Sequence, residues 1–577
     1  MSETILTSLP PEIIQLIAHR LSRHSLAQCV RVCLAWHALL EPTLWQTVQF
    51  KTQHHFLNAL AALTRNIHHV RQLTADSELV YYITLHLAPL NKLRSLDLNL
   101  DEEVAPFAIA LASPWAAPLW NTAAPRFGNS QAVTRLLTGC TNLHSLSLGG
   151  RSCFKHVDGT DAFQEIMGSC ITTSLEHLTL AFRVEDTNPC FQRIFENLGG
   201  NHDQEFALAV EQQRPLMPFV ALRNLVVRSG NHHILPSKLA FLVRCPNLVR
   251  IELDFPENCI LEYLPRALQE FCPNLVEMFW DSGCDYKEEY VVAMLRSSRS
   301  GWKALTLPYQ LEFAPLCFNV LLECVATLEE LNMANWGDVV QHNLFLDLVC
   351  SARNLRRLRG QEDGERLIIG SGVEVHAYNA FKEHIESGRD RTWALGPSMM
   401  YLQMEIVGVP RPDVVCRDNG KPLKAWMMEE GLDSIRCHDV QRWIYEQLGR
   451  MNGLEELLLG KVDVNRVDLD YYNQDGFFLL KSTSTMDIED ALESGESESH
   501  GGPHRLMNYQ SLEFSLESGL EVLKGLKELR VLNVKSTAHR IGVEELDWMH
   551  TNWPKLKEIR GLVTERKWAG DGENGAK

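Results

Sequence analysis

The chain has 577 residues and a formal net charge of −18 at pH 7, from 55 Lys and Arg against 73 Asp and Glu. This length exceeds one ordinary domain, and 45% apolar with 22% charged residues is typical of folded proteins. The acidic balance argues against nucleic acid or a membrane surface as a partner, because neither polyanion would be attracted to it. Fifteen scattered Cys and a start without a secretory-signal pattern predict an intracellular protein of the cytoplasm, the nucleus or both.

The first fifty residues have the pattern of three short helices. A helix is predicted after Pro10, because proline suits the first helical turn and Glu12 faces the positive end of the helix dipole. Apolar residues at helical spacing follow: Ile13, Ile14, Ile17 and Leu21. A second helix is expected to begin at a Ser25 cap and to end at Pro42. So short a segment cannot bury all its large apolar side chains, so its surface is expected to need a partner.

This segment resembles an F-box, from the opening Leu9-Pro10 to the closing Leu44-Trp45. The resemblance implies that it binds the Skp adaptor of a cullin–RING ubiquitin ligase. The positions that would contact the adaptor are Leu9, Pro10, Ile13, Ile14, Ile17, Leu21, Leu26, Val32 and Trp36. The alternative is that these side chains only pack against the domain that follows.

The remaining sequence repeats the phrase Leu-x-x-Leu-x-Leu. From Leu222 to Leu355 its first positions are spaced by 26, 27, 27, 26 and 27 residues, which is the signature of leucine-rich repeats. Alternate residues of such a strand point into a shared core, and helical segments pack outside it. The predicted fold is therefore α/β, with a three-helix F-box followed by a leucine-rich-repeat solenoid that has a curved parallel sheet inside and helices outside.

The positions at which this phrase occurs or is interrupted predict the domain boundaries. The segments are an F-box at 1–50, a helical linker at 51–90, repeats at 91–358 with an insertion near 101–135, an irregular segment at 359–450, repeats at 451–566 with a disordered acidic loop at 482–505, and a disordered tail at 567–577. In the irregular segment a strand is predicted only near Met404–Ile406. The phrase resumes at Leu454, Leu512, Leu529 and Leu556.

The C-terminal third resembles F-box/leucine-rich-repeat proteins of Mortierella-type early-diverging fungi. Three stretches carry this resemblance: residues 406–413 (IVGVPRPD), 440–449 (VQRWIYEQLG) and 512–520 (LEFSLESGL). The resemblance implies no particular substrate, because such repeats differ where binding would occur.

No nucleotide-binding, metalloprotease or hydrolase motif occurs in the sequence, so no cofactor or metal is predicted and the chain is expected to be a non-catalytic adaptor. One alternative is an interaction scaffold that does not direct ubiquitination. Another is an enzyme in the irregular segment, with a site formed by Asp413, Cys416, His438 and Arg442. A basic cluster, Arg353, Arg356, Arg357 and Arg359, is expected to pair with the nearby acids Glu362, Asp363 and Glu365.

The alternation of the strands also predicts which side chains face outward from the sheet. In the middle repeats we predict a substrate-binding patch of Glu252, Asp254, Glu277, Phe279, Asp281, Glu330 and Asn332. Because these are mostly acidic or amide side chains around one aromatic ring, the hypothesis is a protein substrate with a basic segment and an apolar anchor. The alternative is that the acids only keep the surface soluble.

Overall fold

The structure of the chain is a computed structural model. It describes residues 9–50, 52–76, 79, 83–84, 90–99, 129–149, 156–157, 160–169, 174–182, 202–229, 239–254, 261–280, 286–308, 315–333, 342–360, 374–386, 388, 390–411, 417–418, 421–422, 434–459, 511–535, 537 and 539–562. Two compact units share the chain: Met1–Ser282 with Arg296–Ser300, and Gly283–Leu295 with Gly301–Lys577. The predicted acidic loop and tail lie outside the described residues, as does most of the predicted insertion.

The first unit combines N-terminal helices with a parallel sheet. Its helices are α1 (Pro11–Arg20), α2 (Arg23–Val30), α3 (Leu34–Leu44), α4 (Gln53–Asn66), α5 (Asn129–Thr138), α6 (Ala162–Ser169), α7 (His202–Gln213) and α8 (Leu264–Phe271). Its sheet is formed by β1 (Thr47–Phe50), β2 (Gln72–Asp76), β3 (Ser95–Asn99), β4 (Ser145–Gly149), β7 (His177–Phe182), β8 (Asn224–Ser229), β9 (Arg250–Asp254) and β10 (Glu277–Trp280), adjacent in that order. A small antiparallel pair, β5 (His156–Val157) and β6 (Thr160–Asp161), lies outside this sheet.

One large apolar residue from each of seven strands, β2 to β4 and β7 to β10, forms a continuous row across this sheet. The residues in register are Leu73, Leu96, Leu146, Leu178, Leu225, Ile251 and Met278, and all are buried. Each repeat buries its row only against its neighbours, so the stack provides a core that no single repeat could form. The predicted α/β architecture of an N-terminal helical module followed by a long parallel sheet with helices is confirmed.

The second unit repeats the arrangement. Its helices are α9 (Glu288–Leu295), α10 (Pro315–Cys324), α11 (His342–Ser351), α12 (Ala377–Glu386), α13 (Ser434–Gly449) and α14 (Val543–Asn552). Its sheet runs β11 (Ala304–Thr306), β12 (Glu330–Asn332), β13 (Arg357–Arg359), β15 (Tyr401–Gln403), β19 (Glu456–Leu458), β20 (Val531–Asn533) and β21 (Glu558–Arg560). Two further parallel strands, β14 (Glu374–His376) and β16 (Glu405–Val407), pair with each other, and β17 (Arg417–Asp418) pairs with β18 (Lys421–Pro422).

Side chains at the turn before each strand link one repeat to the previous one. The Nδ2 amide of Asn247 donates to the backbone oxygen of Val220 at 2.9 Å, and that of Asn274 donates to Pro246 at 3.2 Å. In the second unit, Asn354 donates in the same way to Ala326 at 2.6 Å. These bonds, which we call the turn bonds, satisfy carbonyl groups that a loop between elements would otherwise leave to solvent.

The N-terminal helices differ in detail from the prediction. The second predicted helix is two helices, α2 and α3, separated at residues 31–33, and the cap is Ser22, whose Oγ accepts from the Ser25 backbone N–H at 3.2 Å. The last helix continues through Pro42, because the backbone N–H of Trp45 still donates to Glu41 at 3.1 Å. In addition, β1 and β2 precede the first strand that the repeat phrase predicts.

The strand predicted near Met404–Ile406 is present as β16, at Glu405–Val407, and it pairs with β14. The sequence did not predict the neighbouring strand β15, at Tyr401–Gln403, which belongs to the sheet of the second unit. The phrase is present here with methionine at two of its positions, Met399-x-x-Leu402-x-Met404, and all three side chains are fully buried.

The predicted repeat phrase at Leu512 does not form a strand. Four consecutive backbone N–H groups donate to side-chain oxygens instead: residue 513 to Gln441 (3.1 Å), 514 to Tyr445 (2.9 Å), 515 to Ser518 (3.2 Å) and 516 to Glu545 (3.2 Å). Phe514 has a φ of 54°, which no β-strand allows. The segment is therefore a buried turn that leads into a short 3₁₀ helix at Leu520–Gly525.

Candidate functional site

The first three helices build a small core of their own. Ala18, Leu26, Val30 and Leu40 form a buried cluster, and further side chains pack partly buried against it: Ile14, Leu21, Cys29, Trp36 and Leu44. Pro11 is at the first position of α1, where a missing N–H costs nothing, and Glu12 lies in the first turn. Of the predicted adaptor contacts, Leu26 is thus inside this core, and Ile14, Leu21 and Trp36 are only partly accessible.

A second set of large apolar side chains on the same helices is exposed. Fractional exposures are 41% for Ile13, 62% for Leu16, 44% for Ile17, 66% for Val32, 88% for Leu34 and 38% for Leu39. Ile13, Leu16 and Ile17 lie on one face of α1, at spacings of three and four residues. We call these six residues the exposed apolar set. Exposed apolar side chains this numerous on a module of about forty residues indicate an interaction surface.

The exposed apolar set overlaps only partly with the predicted contacts. Ile13, Ile17 and Val32 belong to both, Pro10 is exposed beside them, and Leu9 is half-buried. Leu16, Leu34 and Leu39 are exposed but were not among the predicted contacts. No sequence signal marked Leu34, because its exposure depends on the start of α3 at this residue, and the break between α2 and α3 was not predicted.

This helical module joins the sheet almost directly. Only two residues separate the end of α3 from β1, and the backbone oxygen of the second, Gln46, accepts from Arg71 N–H (2.9 Å) and Gln72 N–H (3.0 Å). The Arg23 guanidinium of α2 donates to the backbone oxygen of Thr47 in β1. The module and the first strands are thus held by hydrogen bonds on both sides of the junction.

The outward face of β8, β9 and β10 carries charges of both signs. Glu252 Oε1 pairs with Arg228 at 3.2 Å, and Glu252 Oε2 lies 3.7 Å from Arg250. The Arg250 guanidinium carbon lies 3.9 Å from the centroid of the Phe279 ring. The face that carries the predicted acidic patch therefore also carries two arginines, because the alternation that selects Glu252 selects Arg228 and Arg250 as well. Substrate binding by this patch stays a prediction.

Other predicted patch residues are distributed between the units. Asp254 is exposed and Glu277 half-buried in the first unit, whereas Asp281 lies outside the described residues. In the second unit Glu330 is 3.9 Å from Arg357, and Asn332 is half-buried on the same strand. Because Arg356 also pairs with Glu329 at 3.8 Å, two arginines of the predicted basic cluster pair with the adjacent repeat. The acids predicted to pair with them, Glu362, Asp363 and Glu365, lie outside the described residues.

The described residues of the proposed catalytic set have other partners. His438 Nε2 lies 4.0 Å from Glu513, and Arg442 lies 3.9 Å from Glu521, while Asp413 and Cys416 lie outside the described residues. Within the described ranges no group of three or more His, Cys, Asp and Glu could hold a metal ion. Cys140 and Cys272 lie in the turns before β4 and β10, and burial raises the pKa of both to about 12, so neither is a nucleophile near neutral pH.

No helix in the described part of the chain has the length and apolar character needed to cross a membrane.

One described residue from each of the stretches 406–413, 440–449 and 512–520, namely Arg411, Gln441 and Glu513, belongs to one buried network. Glu513 Oε1 accepts from Arg540 at 2.9 Å and from Ser515 at 2.8 Å, and the Arg411 guanidinium lies 3.9 Å from Glu513 Oε2. Arg411 and Glu513 are each 1% exposed. A buried ion pair with this many hydrogen bonds fixes the positions of its segments, so these stretches have a structural role here.

Among the comparisons with known proteins, a match to a family model concerns the N-terminal helical module. A family model for F-box-like domains matches residues 6–51. Among solved structures, a leucine-rich-repeat protein of Leptospira interrogans is 12% identical, with 89% of this chain and 99% of that chain covered and a TM-score of 0.34, which is a loose likeness. No curated protein matches the chain in sequence. The F-box-like match and the observed sheet together describe a chain that combines an N-terminal F-box-like domain with a leucine-rich-repeat type of parallel sheet and helices.

Proposed function

We propose that the protein is a substrate-receptor subunit of a Skp–cullin–F-box ubiquitin ligase. The F-box-like domain binds the Skp adaptor and, through it, the cullin–RING core. The repeats bind a protein substrate, and proximity raises the effective concentration of substrate lysines near the charged ubiquitin carrier. The protein itself is a non-catalytic adaptor that needs no cofactor, and it acts in the cytoplasm, the nucleus or both.

The observation that carries this proposal is the exposed apolar set on a domain matched by the F-box-like model. Burial of one such side chain in an interface contributes about 1.5–3 kcal/mol. An adaptor that covers several of them would therefore bind stably. The resemblance of the C-terminal third to Mortierella-type fungal proteins suggests a fungal host, so the adaptor of such a fungus is the natural partner to test.

The test is co-purification of the full chain with a fungal Skp adaptor and cullin. The variant carries Ile17→Glu and Leu34→Asp, which place charges in the proposed interface. Leu34 is the first residue of α3, where an acidic side chain is favourable to the helix, so the domain should still fold. We expect adaptor recovery to fall at least about tenfold, because each buried charge costs more than 1.4 kcal/mol of binding.

The matched control carries His24→Asp and Gln28→Asp, two exposed positions on α2 outside the exposed apolar set. This control variant should recover the adaptor and the cullin in the same amounts as the unchanged chain does. Equal recovery with the two variants would overturn the proposed interface. Recovery of the adaptor without the cullin would favour the alternative of an interaction scaffold that does not direct ubiquitination.

A further inference from the structure

The outward face of β8, β9 and β10 contains a stacked pair that selects one kind of binding partner. Arg250 belongs to β9, and its guanidinium carbon lies over the Phe279 ring of β10 at 3.9 Å. The Arg250 side chain is nevertheless 40% exposed. Since one side of the guanidinium rests on the ring, its solvent contact lies mainly on the opposite side. We call Arg250 and Phe279 the stacked platform.

The arginine is held in this position by a second contact. Its guanidinium lies 3.7 Å from Oε2 of Glu252. The other carboxylate oxygen, Oε1, forms an ion pair with Arg228 at 3.2 Å. Glu252 is thus neutralised by two cations of the protein. A positively charged substrate would gain little from Glu252, because two arginines already occupy it.

Glu277 differs from Glu252 in its contacts with arginine. It is the register partner of Arg250, yet Arg250 reaches toward Phe279 and Glu252 instead. Among the described residues Glu277 makes no ion pair within 4 Å. Glu277 is thus a half-buried carboxylate that pairs with no cation of the described residues, and it is in register with Arg250. The surface therefore offers a carboxylate for a cation and a guanidinium face for an aromatic ring.

We propose that this surface binds a protein segment in which an aromatic side chain stands next to a Lys or Arg. The aromatic ring stacks on the open side of Arg250, so that the guanidinium lies between two rings, and the neighbouring cation pairs with Glu277. This inference rests on the proposed function, since it names the substrate class of the repeats. Unlike an acidic patch alone, this arrangement requires an aromatic residue in the bound segment.

The experiment uses the full-length chain without adaptor and a random dodecapeptide display library as the probe. We expect enrichment of peptides with Phe, Tyr or Trp beside Lys or Arg. The best peptide is then measured by fluorescence anisotropy against variants. Arg250→Lys keeps the charge but loses the planar stacking surface, so it should bind at least about tenfold more weakly. Glu277→Gln should weaken the same peptide and remove its preference for a cation.

The matched control is Arg228→Lys, which lies on the same face and pairs with Glu252 but does not lie on the ring. It should stay within about twofold of the unchanged chain, because a surface ion pair tolerates this change. Enrichment of peptides without aromatic residues, no enrichment at all, or an equal effect of Arg250→Lys and Arg228→Lys would overturn the inference. Peptide binding is read without adaptor, so a failed adaptor test would leave this result intact, and the reverse also holds.

Discussion

The hydroxyl group of Tyr445 supports a stretch of backbone that has no strand ladder. It accepts from the backbone N–H of Phe514 at 2.9 Å and lies 3.3 Å from Ser518 Oγ, and the side chain is fully buried. Burial raises the pKa of Tyr445 well above its ordinary value, so the group stays a neutral hydroxyl near neutral pH. A buried N–H that loses its partner costs its desolvation energy, because no water replaces the acceptor.

Tyr445→Phe should therefore destabilise the second unit by about 1–3 kcal/mol, since it leaves the Phe514 N–H unpaired. Hydrogen exchange at the Phe514 amide, together with urea unfolding, measures this. Tyr290→Phe on α9 is the control, because the Tyr290 side chain is half-buried and no described residue bonds to its hydroxyl. Unchanged exchange at Phe514 would show that the hydroxyl does not hold the turn.

His539 makes the stability of the second unit depend on pH. Its Nε2–H donates to the Gly561 oxygen at 3.0 Å and its Nδ1 accepts from Ile541 N–H at 3.3 Å, so the ring is held neutral. Burial, and secondarily the nearby Arg411 charge, lowers the pKa of His539 below its ordinary value of 6.5, although the hydrogen bond to Gly561 opposes this. The unfolded chain then binds the proton more tightly than the folded chain.

We therefore expect the contribution of His539 to the free energy of unfolding to be fully present above pH 6.5. It should decrease as the pH drops through and below that value. His539→Gln keeps one donor and one acceptor but does not titrate, so its unfolding midpoint should fall less between neutral and acidic pH. His376, whose pKa burial also lowers, retains part of the dependence. Urea midpoints across this range measure the difference, and parallel curves for both proteins would contradict the assignment.

At the scale of elements, the strands that follow the repeat phrase were predictable and the exceptions have physical causes. The part of the row formed by Leu225, Ile251 and Met278 follows from the constant spacing of the phrase, because each side chain packs on the equivalent residue of its neighbours. The strand at Tyr401–Gln403 was hidden because methionine replaces leucine at Met399 and Met404. Methionine fills the same core space, so a search that accepts it would have found this strand.

The segment at Leu512 is the opposite case, because it fits the repeat phrase but forms no strand. The backbone N–H groups of Glu513 and Phe514 bond to Gln441 and Tyr445, which lie 72 and 69 residues earlier in the chain. Spacing within one repeat carries no information about such distant partners. The turn could therefore not be predicted from the local pattern.

The F-box segment shows the same limit for the candidate site. Its pattern predicts which positions are apolar, but Leu26 is in the core and Leu34 is 88% exposed although both are leucines near a helix start. Which of them faces a partner depends on how α2 packs on α3. That packing depends on the helix break at residues 31–33, which the sequence analysis did not predict.

At the scale of the first unit as a whole, the junction between α3 and β1 should behave as rigid. The Gln46 oxygen and the Arg23 guanidinium bridge the helical module and the sheet. We expect a single narrow distance distribution between spin labels at His24 and Thr179, introduced as non-natural amino acids because of the native cysteines. Electron–electron double resonance measures this distribution.

The control inserts a Gly-Ser segment between Gln46 and Thr47, which should broaden the distribution because such a segment is a flexible coil. A broad distribution in the unchanged chain would mean that the F-box-like domain moves relative to the first strands. It would also mean that the hydrogen bonds across the junction do not hold in solution.

The turn bonds have a consequence for how this chain could change length in evolution. Each bond takes its donor from one repeat and its acceptor from the repeat before it, as with Asn247 to Val220 and Asn274 to Pro246. A duplicated repeat would add one asparagine amide and one turn carbonyl, so each carbonyl at the new turns would still accept a hydrogen bond. A partial duplication would add only one of these two groups and leave it without its hydrogen-bond partner. Gene duplications that preserve whole repeats are therefore the ones that such a stack accepts without loss of stability.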